Sequence, residues 1–503
     1  MFRSKQLGEA QMMSVLPEKK EGSFPLLLWG GWECGGKQEI GIPFTGRIAG
    51  PEGLNPWQYA VGDSKTVEVV LAGLSRASRV MGSMTRHRRS QILAETARLL
   101  EANREALAHL LVCEVGKPIA AARFEVERAA TTFLLASRLA ADFGSQLIPG
   151  DIVPQGARMT GMVERVPIGP VLAITPYNFP LNLLAHKVAP ALASGCPVVV
   201  KPAPKGALSA LALGKILLSA GLPPEALSIV PCDIPEILAM VDAPEIPVVS
   251  FTGSAEVGWS LRDRVPRKQV LLELGGNAAV VILKDAPEDG LVDRLMTGAF
   301  AYSGQICISI QRILVERSRY DSFLERFVER VRRMESEGGV GDPAEPSTLM
   351  GPLISETHAR KVHEKVLSAI SRGAVSSLPV KRLGALLHPV ILSGTDSYDP
   401  IEQEEIFGPV VTVNPFDSPD EAVKRINCSR FGIQASIMTG SLETGILMAG
   451  ELEMGGVLVN EIPTFRLDHW PYGGVKESGK GWEGVAYAME EMTRPRLLAY
   501  RLH

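Results

Sequence analysis

A carboxylate set between leucines and a thiol just after a Gly-Gln turn are the two groups in this chain best suited to chemistry. The first is Glu273, in Leu271-Leu272-Glu273-Leu274-Gly275-Gly276-Asn277. The second is Cys307, in Gly304-Gln305-Ile306-Cys307-Ile308-Ser309. Apolar neighbours desolvate a carboxyl, raise its pKa and fit it to act as a general base near neutral pH. A thiol is mostly protonated at pH 7, so a nearby base helps it attack. The pair therefore reads as nucleophile and base of a covalent mechanism. Against that stands a plainer reading, because free cysteines are more often small buried side chains than reagents. Glutamate is harder to dismiss, since it is rarely fully buried without a partner.

The elements that must position this pair are legible as alternating patterns. Short apolar runs at Val171 to Ile174, Pro197 to Lys201, Leu227 to Val230, Pro247 to Phe251 and Val270 to Leu274 are separated by helical stretches at Leu183 to Leu192, Ser209 to Ser219 and Ile234 to Val241. Such alternation predicts a parallel sheet covered on both faces, an α/β fold. Ligands of open α/β sheets lie beyond the carboxyl ends of the strands, where Glu273 falls. A second α/β pattern begins at Ala278 to Leu283 and continues through Arg312 to Val315, Pro389 to Leu392, Val410 to Asn414, Ser436 to Thr439 and Gly456 to Asn460. Before the first sheet, helical spacing covers Ser64 to Met81, Arg86 to His109 and Ala120 to Phe143. Residues Leu26 to Ile48 suggest surface hairpins, and the first 22 residues a loose leader. The apolar edge at Leu497 to Tyr500 suits a strand added to a neighbouring subunit.

The 503 residues exceed one ordinary core, so two or three domains are expected. A hydrophobic share of 46%, a charged share of 21% and a formal net charge of −4 describe a soluble globular chain with no electrostatic footprint for nucleic acid. Six scattered cysteines lack Cys-x-x-Cys spacing, which fits a reducing cytoplasm. No metal-ligand spacing is seen, so no metal is expected. The apolar run Phe24 to Trp29 is too short to span a membrane.

Other segments carry chemistry of their own. Asn178 sits in Pro176-Tyr177-Asn178-Phe179-Pro180, where two prolines stiffen the loop behind an amide able to donate to a developing oxyanion. Phe251-Thr252-Gly253-Ser254-Ala255-Glu256-Val257-Gly258 follows a strand and opens a helix, the arrangement that offers N–H groups to a phosphate. Lys201 closes a buried strand. Glu404-Glu405-Ile406-Phe407-Gly408-Pro409 joins acid, aromatic and turn, and Pro471-Tyr472-Gly473-Gly474 opens a glycine-rich loop.

Taken together, from about Gly46 to the end, these segments resemble the aldehyde dehydrogenase superfamily, in the manner of its lactaldehyde and succinate-semialdehyde members. The resemblance implies a Rossmann-like cofactor domain (23–144 and 165–272), a catalytic domain (273–460), bridging strands (145–164 and 484–503) and a substrate and anchor loop (461–483), in homodimers or homotetramers. It implies Cys307 as nucleophile, Asn178 with the Cys307 N–H as oxyanion hole, and Glu273 as the base that activates water against a thioester. For NADP or NAD it implies Lys201, Thr175, Pro176, Gly253, Ser254, Leu274, Glu405 and Phe407.

The substrate is expected to be a small aldehyde, neutral or anionic. Arg123 and Arg466 are candidates to hold an anionic group, with Tyr177, Ile306 and Ile308 lining the pocket. Relatives acting on phosphorylated or phosphonate aldehydes place an arginine just before the nucleophile. Ile306 stands there instead, which lowers that alternative. Three residues after Lys201 stands Pro204, followed by Lys205; this leaves room and charge for a 2′-phosphate and tilts the expectation to NADP. Two rivals remain: a coenzyme A-acylating member, against which Glu273 argues, and a silent scaffold, against which Cys307, Glu273 and Asn178 together argue.

Overall fold

The computed structural model describes residues 12–20, 23–34, 37–41 and 57–501. Gly46, where the resemblance begins, lies outside them. Five parallel strands form the middle of the first sheet, in the order Leu227–Ile229, Val198–Lys201, Val171–Ile174, Val248–Thr252 and Gln269–Glu273. The order reverses direction between Val171–Ile174 and Val248–Thr252. Loops diverge at that point and leave the crevice in which such sheets bind ligands.

Successive strand residues feed different cores. Val171, Ala173, Val198, Val200, Val248 and Leu271 pack under Asn182–Ser194 and Ala207–Ser219, whereas Leu172, Ile174, Val199, Val249, Phe251 and Leu272 pack under Ser64–Ser83 and Ile234–Asp242. Two-residue alternation on a sheet buried on both sides explains the uninterrupted apolar runs. Each fully buried Val, Leu or Ile contributes about 1.5–3 kcal/mol.

The second sheet runs Val375–Ser376, Val390–Ser393, Val410–Phe416, Arg312–Glu316, Ala279–Ile282, Gln434–Met438 and Gly456–Val459, parallel except at its first pair. A three-stranded sheet joins Gln146–Pro149, Met159–Pro167 and Thr493–Arg501. Leu497, Leu498 and Tyr500 of its last strand are exposed. Among the described residues no helix is long and apolar enough to cross a membrane.

Three expectations change. The leader is not loose where it is described: Met12, Val15 and Leu16 are buried in the first core, and Lys215 Nζ donates to the Ser14 and Leu16 carbonyls at 2.8 Å each. Apolar residues in a charge-rich segment were outvoted by its average polarity. The hairpin Leu26–Leu28 and Gly31–Glu33 is no surface ornament either; Leu27 pairs with Ile229 and extends the first sheet. Finally, the single helix expected over Arg86 to His109 is two, Arg86–Ala102 and Arg104–Val115. Asn103 breaks the run with φ −108° and ψ 18° and folds its side-chain amide back onto the Leu99 carbonyl at 2.7 Å.

Candidate active site

Glu273 is the last residue of its strand, paired with Thr252 on one side and Gly479 on the other. It shares the face of Leu271, which Asn182–Ser194 covers. Its carboxyl is buried, and Oε1 has no hydrogen-bond partner among the described residues. Burial, then the nearby Glu483 charge, holds its pKa well above the ordinary carboxylate value, eased by Arg466 and Lys187. Glu273 is thus a carboxyl tuned toward proton transfer.

Cys307 precedes the strand Arg312–Glu316 in the second sheet. Its Sγ lies 2.9 Å from Tyr472 Oη. Burial pushes the thiol up to about 12; the Tyr472 hydrogen bond and Arg466 act downward, and the Glu273 and Glu405 charges act upward. The turn before it is left-handed at Tyr302, Ser303 and Gly304 (φ 50°, 56° and 69°). Two non-glycine residues in that region are uncommon and are held by their surroundings. Ser303 Oγ donates to the Gly351 carbonyl, and the Gln305 Oε1 accepts the Ile354 N–H at 2.8 Å.

Asn178 is buried and its Nδ2 donates to the Gln305 carbonyl at 3.0 Å, two residues from Cys307. An amide nitrogen carries two hydrogens, so this bond orients the group and leaves a second donor. The loop behind it is anchored from below. Glu125 Oε1 accepts the N–H groups of Leu181 and Asn182 at 2.9 and 3.1 Å, at the start of Asn182–Ser194, while its other oxygen pairs with buried Lys117.

Gly275 and Gly276 serve close approach. Neither has positive φ. A Cβ on Gly276 would lie 2.7 Å from the Cys307 carbonyl oxygen, and one on Gly275 2.3 Å from Glu405 Oε2. Glu405 Oε1 accepts the Gly276 N–H at 3.1 Å, and burial raises this carboxyl to about 7. Gln311 pins the segment by donating to Ile401 and Glu404 carbonyls at 3.1 and 2.7 Å and accepting from Ile406 N at 3.0 Å. Phe407 adopts φ 52° and meets Tyr177 edge-on at 6.1 Å.

The other groups anticipated for a dinucleotide belong to the first sheet and its loops. Lys201 and Thr175 stand at the carboxyl end of the central strands, where Thr175 N donates to Lys201 O at 3.1 Å. Pro176 follows Thr175 in that loop. Ser254 is the N-cap of Ala255–Arg264 and makes no side-chain cap hydrogen bond; Thr252 Oγ1, just before Gly253, is buried with no partner among the described residues. Those free polar groups at a helix start fit a phosphate-bearing cofactor. Leu274 buries its side chain against Gly258, and its N–H donates to Ser478 O at 2.9 Å, so any cofactor contact falls to its carbonyl. Lys205 is spoken for: it is half-buried and donates to the Ile354 carbonyl.

Of the two arginine candidates, one moves away from the site. Arg123 is half-exposed and forks onto Glu105 at 2.9 Å. Arg128, five residues on and so about 140° around the helix, faces inward. Its Nη2 donates to Asp468 Oδ1 at 2.5 Å, and buried His186 shares that oxygen at 2.9 Å. Arg466 stays inside: its side chain is nearly covered, donates to Glu483 at 3.0 Å and lies 3.7 Å over the Tyr472 ring, and its Nε has no partner among the described residues. Ile308 packs with Ile433 and Tyr472, and Ile306 joins them.

Sequence reasoning missed Lys187, Ser250, Glu483, Tyr472, His186, Arg128 and Asp468. Lys187 donates to Ser250 Oγ at 3.0 Å and to Glu483 at 3.2 Å. Burial alone would raise Glu483, but Lys187 and Arg466 bring it down to about 2. One signal was available: a His-Lys pair in the middle of a largely apolar helix must be buried and paired.

Comparison with known proteins agrees with this geometry. The chain matches the Aldehyde dehydrogenase family over residues 52–498 and belongs to that family. It is an NAD(P)-dependent oxidoreductase acting on aldehydes. It is 36% identical over 436 residues to 3-sulfolactaldehyde dehydrogenase of Priestia aryabhattai, covering 86% of this chain and 91% of that one. Aldehyde dehydrogenase 21 of Physcomitrella patens, solved with the product succinate, superposes with a TM-score of 0.90 at 34% identity, covering 96% and 99% of the two chains. Glyceraldehyde-3-phosphate dehydrogenase of Methanocaldococcus jannaschii, solved with NADP, gives 0.86 at 34% identity, covering 93% and 100%.

Proposed function

We propose that this enzyme oxidises a small anionic aldehyde to the carboxylic acid through a thioester on Cys307. One observation supports the hydrolytic half above all: Glu273, at the end of its strand, carries a buried, strongly base-tuned carboxyl oxygen with no partner among the described residues, and its charge acts on the Cys307 sulfur. The thiolate adds to the aldehyde carbon, and the Asn178 amide, with the Cys307 N–H, steadies the oxyanion. NAD(P), when bound, supplies the hydride acceptor. Loss of hydride leaves the thioester; water then adds to it, Glu273 takes the proton, and the carbon–sulfur bond breaks to return the thiolate. The pocket wall of Ile306, Ile308 and Tyr472 limits bulk water around the sulfur.

The anionic class rests on Arg466, whose Nε has no partner among the described residues, supported by Arg128 behind Asp468. Two similar proteins point the same way, one named for a sulfonated aldehyde and one solved with succinate. NADP is favoured over NAD by Pro204, which leaves space beside Lys201, and by the NADP held in the M. jannaschii structure. Lys205 adds little, being committed to Ile354. The exposed Leu497, Leu498 and Tyr500 of Thr493–Arg501 suit this strand to a subunit contact in dimers or tetramers.

A panel of short aldehydes, neutral and anionic, with NAD and NADP tests this reading through cofactor reduction. Anionic aldehydes should show the higher kcat/KM. In Arg466→Met the ratio of anionic to neutral kcat/KM should fall by about 10- to 100-fold, as expected for one charge-assisted hydrogen bond. An unchanged ratio would leave a neutral, lactaldehyde-like substrate as the better reading.

A further inference from the structure

Tyr472 touches the sulfur that the proposed reaction charges twice. The tyrosine is buried, and Cys307 Sγ, at 2.9 Å, is the partner found for its hydroxyl among the described residues. A neutral thiol can give or take that hydrogen bond. A thiolate can only accept, so the phenol must then donate.

The surroundings make this donor matter. Groups facing the sulfur are Tyr472, Glu273, Glu405 and Arg466. Two are carboxylates that oppose a negative sulfur. Arg466 favours it from behind the phenol, and Tyr472 is the one that touches it. The Arg466 guanidinium, 3.7 Å from the ring centroid, sits over the Tyr472 face. A cation there draws electron density from the ring and strengthens the O–H as a donor. Position is fixed as well. Tyr472 and Glu483 exchange backbone hydrogen bonds of 3.0 and 2.7 Å, and Glu483 holds Arg466 at 3.0 Å. Backbone, cation and ring are thus locked as one unit against Cys307.

We infer that Tyr472 is a catalytic residue whose hydroxyl donates to the Cys307 thiolate, both when it attacks and when it leaves the thioester. Between those moments the sulfur is a thioether or thioester, a poor acceptor, and the bond lapses. The hydroxyl loses no proton and forms no covalent bond. Tyr472 therefore stabilises the nucleophile and the leaving group, while Asn178 serves the oxygen. This inference rests on Cys307 being the nucleophile.

The test is Tyr472→Phe in the full-length enzyme. The rate of iodoacetamide alkylation is followed against pH, and modification at Cys307 is separated from the exposed Cys34 and Cys428 by peptide mass mapping. At each pH below the midpoint Cys307 should be alkylated about 10- to 100-fold more slowly, equivalent to a midpoint raised by roughly one to two pH units. The acid limb of kcat/KM should move with it. Thermal melting and NADP binding should hold, because the ring and its packing remain. An unchanged midpoint in a folded Tyr472→Phe protein overturns the inference. Activity in Cys307→Ser would instead overturn the nucleophile reading beneath it, so the two failures are told apart.

Discussion

Cys307→Ala should lose aldehyde oxidation by on the order of 10⁴-fold or more, the scale on which nucleophile deletions act. Among the described residues no second cysteine stands beside Tyr472 to form the covalent intermediate. Cys196 and Cys232 are buried in the cofactor-side cores, Cys113 packs against the first of them, and Cys34 and Cys428 are exposed. The thiol, pushed up to about 12 by its surroundings, is almost wholly protonated at neutral pH, so the reactive thiolate has to be stabilised within the pocket. Cofactor binding should survive, since Lys201, Thr252 and Ser254 lie on the first sheet and its helix, apart from the sulfur. Absorbance of the reduced cofactor measures the first outcome and fluorescence titration the second. Substantial turnover in the variant would exclude a covalent route through Cys307.

The parts of this site carried by contiguous residues were legible in the sequence. Glu273 follows an apolar strand, Cys307 follows a Gly-Gln turn, and Asn178 lies between prolines; each needs only its neighbours to be recognised. The strands were legible because burial on both faces writes itself as an unbroken apolar run. What stayed hidden is created by packing between distant segments. Lys187, Glu483, Arg466 and Tyr472 meet only because Asn182–Ser194 covers the Glu273 face and the 472–483 loop closes on itself. Helix phase explains the arginine misassignment. Arg123 and Arg128 look alike in sequence, and only the direction of the buried face, set by Ala122, Val126, Ala129 and Phe133, tells which points inward.

Glu273→Gln should slow steady turnover by about 10²- to 10⁴-fold, the usual contribution of a general base. Glutamine preserves shape and hydrogen bonding but cannot take a proton from water. Rapid mixing with aldehyde and NADP should therefore show a burst of reduced cofactor of wild-type amplitude, followed by slow turnover as the thioester accumulates. The pH dependence separates Glu273 from its neighbours. A carboxyl whose pKa is raised is protonated below that raised value and becomes a base only above it, so wild-type hydrolysis should fall as pH drops through it. In Glu273→Gln that limb should vanish. Glu483 cannot substitute: drawn down to about 2 by Lys187 and Arg466, it is a permanently charged counter-ion and a feeble base. Glu405, raised to about 7, has the strength but is tied by the Gly276 N–H on the cofactor side. Glu405→Gln should accordingly raise the cofactor KM and leave the hydrolytic limb in place. A persisting limb in Glu273→Gln, lost instead in Glu405→Gln, would transfer the role of base to Glu405.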